Sequence, residues 1–132
     1  MKRIEPSPDS APQTHASGVL VFPDLYIAGQ VGMNTVTGDF ENGMLAQTKL
    51  AIRNLVSVVE AAEGRAQDIT KLTIYVVDID AFRRNGSQIT RMFRETFGSY
   101  QPAMTLVGVT DLLYPELLIE VEGHARVGAS HD

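Results

Sequence analysis

Cysteine is absent from all 132 residues. That excludes disulfides, thiol nucleophiles and cysteine-held zinc or iron–sulfur sites, and it suits a cytosolic address. No run of about 18 apolar residues occurs, so no segment is expected to span a membrane. The opening "MKRIEPSPDS" has no apolar stretch of the kind a signal peptide carries. Positive charge is scarce too: 11 Lys and Arg stand against 16 Asp and Glu, a net charge of -5. Phosphate binding needs a concentrated basic surface, so this balance weighs against a nucleic-acid partner. The densest cationic group, Arg83, Arg84, Arg91 and Arg94, falls on one expected helix and reads as its solvated face. "GQVG" at 29–32 lacks the glycine spacing of a dinucleotide fingerprint and is not followed at once by a helix. A glycine inside a strand instead marks the close approach of another backbone or a ligand.

What remains is an ordinary globular composition, 44% hydrophobic and 20% charged, read as one domain over 1–132. Pro6, Pro8 and Pro12 among polar residues make 1–11 an expected flexible arm. "GVLVF" (18–22) and "LYIAGQV" (25–31) flank Pro23-Asp24 and read as a β-hairpin. After a loop over 32–43, the period changes. Met44, Ala51, Leu55, Val58, Val59 and Ala62 recur at helical spacing, with Gly64 as the stop. "KLTIYVVDI" (71–79) is nearly continuous in apolar residues and reads as a central strand covered on both faces. Asp80 is the expected cap of a second helix over 81–97, with Phe82, Ile89, Phe93 and Phe97 on one stripe, Gly98 at its end and Gly86 as an internal weak point. Strands follow at 103–109 and 117–127. The order β-β-α-β-α-β-β predicts an α+β domain, a mixed sheet with two helices on one face.

The last strand alternates, setting Leu118, Glu120, Glu122 and His124 on one face and Ile119 and Val121 on the other. Glu120, Glu122 and His124 at two-residue spacing are one possible metal wall. Charged side chains pointing to water explain the same pattern, and neither His15 nor His131 has an assigned partner to complete a site; no metal is expected. The leucines at 112, 113, 117 and 118 crowd the approach to Glu120. A carboxylate in apolar surroundings, with a second carboxylate two residues on, tends to hold its proton more tightly and becomes a proton-transfer candidate.

"YIAGQVG", Thr37-Gly38, "NLVSVVEAAEG", "ITKLTIYVVDIDAF", "QPAMTLVGV" and "IEVEGHA", in that order, resemble the RidA/YjgF/UK114 family from about residue 11 to 127. The resemblance implies a chorismate-mutase-like fold, a homotrimer, and small-molecule clefts between subunits. It also implies cofactor-free hydrolysis of enamines and imines, such as 2-aminoacrylate, to keto acid and ammonia. By the same resemblance Glu120 matches the glutamate that positions or activates water, and Gly29 and Gln30 match the strand approaching the ligand. Backbone amides near Gly29 and Leu106 would place the substrate. Three positions depart from the family: Gln13 stands at a cleft tyrosine, Ala28 at a serine, and Met104 at the arginine that grips the substrate carboxylate. Losing that bidentate guanidinium removes roughly 1.5–3 kcal/mol per hydrogen bond, so an altered substrate choice is expected. The alternative is a non-catalytic trimeric small-molecule binder or chaperone-like member. An RNA-cleaving role fits the acidic balance least well.

Overall fold

The computed structural model of the protein describes residues 1–12 and 14–128. Six strands form one mixed sheet: β1 (Lys2–Ile4), β2 (Gly18–Val21), β3 (Asp24–Val31), β4 (Ile69–Val76), β5 (Ala103–Gly108) and β6 (Ile119–Arg126). Their spatial order is β1-β2-β3-β6-β4-β5. Every neighbouring pair is antiparallel except β4 and β5, which run parallel. The β2–β3 hairpin turns at Pro23, as its sequence suggests.

The helices are α1 (Met44–Ala61), α2 (Ile79–Arg84) and α3 (Gly86–Phe97). Helix α1 buries Ala51, Ile52, Leu55, Val58 and Val59 against Leu25, Ile27, Leu72, Ile74, Val121 and Ala125 of the sheet. This is the helical stripe read from the sequence, packed on residues of three strands, β3, β4 and β6. Ile89, Met92 and Phe97 of α3 extend the same core.

Several expectations change on contact with the structure. Residues 1–11 are not simply an arm, because β1 pairs with β2 and buries Ile4 in the core. Strand β4 is not covered on both faces within the chain. Its residues Leu72, Ile74 and Val76 are fully buried while Lys71, Thr73 and Tyr75 stand half-buried on the other face. Ile69 joins the buried set only because the register slips between Ile69 and Lys71, which realigns the alternation. The second helix is broken at Asn85, ahead of Gly86. Its cap is Asp78, whose carboxylate accepts from the Ala81 N–H, and Asp80 instead pairs with Arg83. At the end of α1 it is Glu63 that takes the left-handed turn, with φ of 64°, and Gly64 donates to the Val59 carbonyl. Leu118 leans on the core, so of the four leucines Leu113 and Leu117 line the cavity with Glu120.

Two polar side chains interrupt the α1 stripe: Thr48 donates to the Met44 carbonyl of its own helix, and Gln47 reaches beyond it. Gln47 is 2% exposed, and its Nε2 donates to the carbonyls of Glu41 (3.1 Å) and Glu116 (2.8 Å). Its Oε1 accepts from the Leu118 N–H at 2.8 Å. Gly32 makes room for it, since a Cβ there would lie 2.4 Å from the Gln47 Cα. One turn pair further along, Asn54 Nδ2 donates to the carbonyls of Val31 and Met33, both at 3.0 Å. These two amides fasten the 32–43 loop and the segment before β6 to the helix. Gln47→Met keeps the shape and removes all three hydrogen bonds. Each buried backbone group left unpaired costs roughly 1–3 kcal/mol, so the urea midpoint should fall by an amount equivalent to at least about 2 kcal/mol.

Candidate functional site

Strand β3 pairs with β6 through Ile27–Gly123 and then Gln30–Val121. Two residues of β3, Ala28 and Gly29, therefore stand opposite the single residue Glu122. This bulge aims a local patch of backbone at the sheet face away from the helices, a device common beside active sites. Glu120 reaches onto the bulge: a Cβ at Gly29 would lie 2.7 Å from the Glu120 Cδ. Only glycine lets the carboxyl group rest there.

Over this bulge lies a cavity of about 720 Å³. Its floor is Ala28, Gly29, Gln30 and Val31 of β3, Tyr75 of β4, and Glu120 and Glu122 of β6. Its walls come from three separate stretches: Pro12, His15 and Ser17; Met33 and Thr35, with Asn54 behind them; and Leu113, Tyr114 and Leu117. Tyr114 is braced across the opening by Phe40, with ring centroids 5.7 Å apart. The first wall is tied back to β1. Arg3 Nη2 donates to the carbonyls of Pro12 (2.8 Å) and His15 (3.1 Å), while Arg3 Nε meets Glu5 at 2.7 Å. Glu5 accepts from both the backbone N–H and the hydroxyl of Ser17. Despite its burial, those hydrogen bonds and Arg3 hold its carboxyl below the usual carboxylate range.

The two carboxylates of the floor are differently committed. Glu122 accepts from the Tyr75 hydroxyl. That bond, then burial, then the charges of Glu122 and Glu120 make the tyrosine hold its proton unusually tightly. Glu120 accepts no hydrogen bond from any described residue. Burial pushes its carboxyl above the ordinary value, the Glu122 charge adds to this, and His15 pulls the other way. A half-buried, unpaired carboxylate with raised proton affinity is suited to taking a proton from water and returning it.

His124 takes no part. Its Nδ1 lies 2.6 Å from the Thr70 hydroxyl, its Nε2 3.2 Å from Asp24, and its ring meets Tyr26 edge-on. With Glu122 committed to Tyr75, the possible acid–histidine wall does not converge, and among the described residues no group of three His, Asp or Glu is placed to hold a metal ion.

Of the residues singled out from the sequence, Ala28, Gly29, Gln30 and Glu120 meet in this cavity. Gln13 lies outside the described residues. Met104 and Leu106 are elsewhere: in register with Leu72 and Ile74, they stand on the helix face of the sheet, on its edge strand. Met104 borders a smaller hollow of about 230 Å³ with Phe93, Arg94 and Phe97. Glu120 is on the opposite face, two strand spacings or roughly 10 Å across the sheet. Within one chain, then, Met104 and Glu120 do not share a cleft. Tyr75, Asn54, Ser17 and Tyr114 were not singled out. Tyr75 was readable from strand alternation, which sets it opposite Ile74 and Val76, had the apolar run not suggested burial on both faces. The four arginines of α2 and α3 are all exposed, as a solvated face requires.

Comparison with known proteins identifies the family and matches the fold. The family model described as Endoribonuclease L-PSP matches residues 9–127. A RutC family protein of Aquifex aeolicus is 34% identical over 98 residues, covering 74% of this chain and 77% of the relative. A 2-iminobutanoate/2-iminopropanoate deaminase of Dermatophagoides farinae is 32% identical over 115 residues, covering 84% and 86%. The crystal structure of the E. coli YjgF gene product superposes with a TM-score of 0.83 at 26% identity, covering 98% of this chain and 100% of that one. The chain belongs to the RidA/YjgF family. Among the described residues no helix is long and apolar enough to cross a membrane.

The electrostatics of the floor yield a direct check. Glu122→Gln keeps an acceptor for Tyr75 and removes the charge that raises Glu120. The Glu120 carboxyl, followed by carbon-13 NMR titration, should then titrate at lower pH than in the wild type, while remaining above the ordinary value because burial persists.

Proposed function

We propose that the protein is a cofactor-independent imine and enamine deaminase acting in the cytosol. The observation that carries this reading is the Glu120 carboxylate, half-buried on the glycine bulge with no donor among the described residues, within a cavity large enough for a small molecule. Family membership and relatives named as imine deaminases support it. In the reaction, Glu120 takes a proton from water as the oxygen adds to the C=N carbon. That proton passes to the nitrogen to give a carbinolamine; transfer of the remaining hydroxyl proton to nitrogen then breaks the C–N bond as C=O forms, and ketone and ammonia leave. An enamine first gains a proton at carbon and loses one from nitrogen to become the imine. No redox step or bound group is needed for this balance. The net charge of -5 weighs against a nucleic-acid substrate.

The same reading includes a homotrimer with the working cleft between subunits. Met104 and Leu106 stay 42% and 40% exposed on edge strand β5, and such an apolar edge suits burial by a neighbour. A neighbouring copy is also the only way Met104 reaches a cleft holding Glu120. With methionine where the family has its arginine, imines bearing a carboxylate lose a bidentate partner and face an acidic floor, so they are gripped differently and substrate choice is altered.

Ammonia release from imines generated in situ tests the reading. Glu120→Gln should lower kcat by about 10²–10⁴, whereas full turnover in that variant would remove Glu120 from the mechanism. Gly29→Ala should also lower kcat, because its Cβ displaces the carboxyl end of a flexible side chain at little cost in stability. Met104→Arg should raise kcat/KM on 2-aminoacrylate, and light scattering at micromolar concentration should give three chain masses.

A further inference from the structure

The cavity floor carries two carboxylates, and Tyr75 and Tyr114 are neutral acids. The family's guanidinium position is occupied by Met104, on the other face of the sheet. A carboxylate-bearing substrate would therefore enter a site of its own sign unless some other group supplies positive charge. Among the described residues lining the cavity, one can: His15.

Several observations suit His15 to that task. It lines the cavity while staying exposed to solvent, where an entering anion can meet it. Its backbone is fixed by the Arg3 guanidinium on its carbonyl, so the ring is carried by a held segment. Its Nδ1 lies 3.1 Å from the Thr14 hydroxyl, leaving Nε2 without a partner among the described residues. It is also close enough to Glu120 for their charges to interact.

We propose that His15, as imidazolium, is the anion-receiving residue of the cavity and binds the carboxylate of a small 2-imino or 2-oxo acid through Nε2–H. This deepens the deaminase reading and rests on it for the substrate class, though not for the binding itself. An arginine is charged at every accessible pH, whereas a histidine changes charge between about pH 5 and 8, so affinity for carboxylates becomes pH-dependent. The charged and titratable groups around it are Glu120 and Glu122 from β6, Tyr75 from β4, Tyr114 from the facing wall, and the Arg3–Glu5 pair behind it. Arg3 and Glu5 are engaged with each other and with backbone. Of the rest, Glu120 alone needs separating from His15, because its protonation would also favour an entering anion.

The test is therefore done in a Glu120→Gln background, with equilibrium binding of pyruvate read by calorimetry at pH 8 and pH 6, where ordinary carboxylates stay ionised. Pyruvate should bind about tenfold more tightly at pH 6 than at pH 8. In His15→Gln/Glu120→Gln this gain should vanish, and in His15→Lys/Glu120→Gln binding should be comparable at both pH values. The uncharged amide of pyruvate should show no pH effect in any variant. Unchanged affinity and pH dependence in the His15→Gln double variant would overturn the proposal, as would failure of millimolar pyruvate to bind at pH 6. Because binding is read without turnover, a protein that binds pyruvate through His15 yet releases no ammonia would sink the deaminase reading alone. Ammonia release with no His15-dependent binding would sink only the role of His15.

Discussion

The amide of Gln47 joins α1 to two stretches of chain that lie in no strand or helix: the loop at Glu41, and the segment before β6 through the Glu116 carbonyl and the Leu118 N–H. It can do so only because Gly32 lets β3 run against the first turn of α1. Both walls that face each other across the cavity, one carrying Met33 and the other Tyr114 and Leu117, take their position from this contact. Asn54 repeats the device seven residues on, holding the end of β3 that leads out of the bulge. The apolar stripe of α1 makes the helix pack. The two amides on its margin decide where the loops go.

The bulge and the carboxylate form a second dependent pair. An extra residue in β3 brings Gly29 under Glu120, and the absent side chain is the space the carboxyl uses. Glu122, one position across, is quenched by the Tyr75 hydroxyl and serves Glu120 chiefly as a fixed negative charge. Two like residues on one strand face thus acquire different roles from their neighbours alone, one held by a donor and the other held by none. His15 faces this floor from a segment whose position is set by Arg3, far from it in the sheet order.

The hairpin, the long α1 and the alternation of β6 were legible because each rests on local periodicity or turn chemistry. Glu120, Gly29 and Gln30 were legible through the family resemblance, and the apolar approach to Glu120 through its neighbouring leucines. What escaped is non-local. Gln47 and Asn54 read as polar gaps in a helical stripe, although polar residues seven apart on a buried face are themselves a signal. Register slips at Ala28–Gly29 and at Thr70 change which residues face the core, and nothing in the local sequence demands them. Asp78 and Asp80 are both plausible caps two residues apart, and hydrogen-bond geometry chooses between them. Leu118 turns to the core because β6 begins at Ile119, two residues later than the alternation suggests, and Leu113 and Leu117 line the cavity with Glu120 instead. Met104 was read from its position in a motif, which carries no information about which sheet face it occupies relative to Glu120.

The sheet order has a consequence for how the molecule comes into being. Strand β6, the last of the described strands in sequence, lies between β3 and β4 in space. Until residues 119–126 leave the ribosome, β3 and β4 each present an open hydrogen-bonding edge, and the two halves of the sheet have no strand joining them. Pairings of such long sequence separation form slowly, and open apolar edges invite association with other chains. The strand that closes this gap also brings in Glu120. A nascent chain therefore acquires its central carboxylate at the moment it loses its most aggregation-prone edges, so no partly synthesised form displays the site without the finished sheet around it.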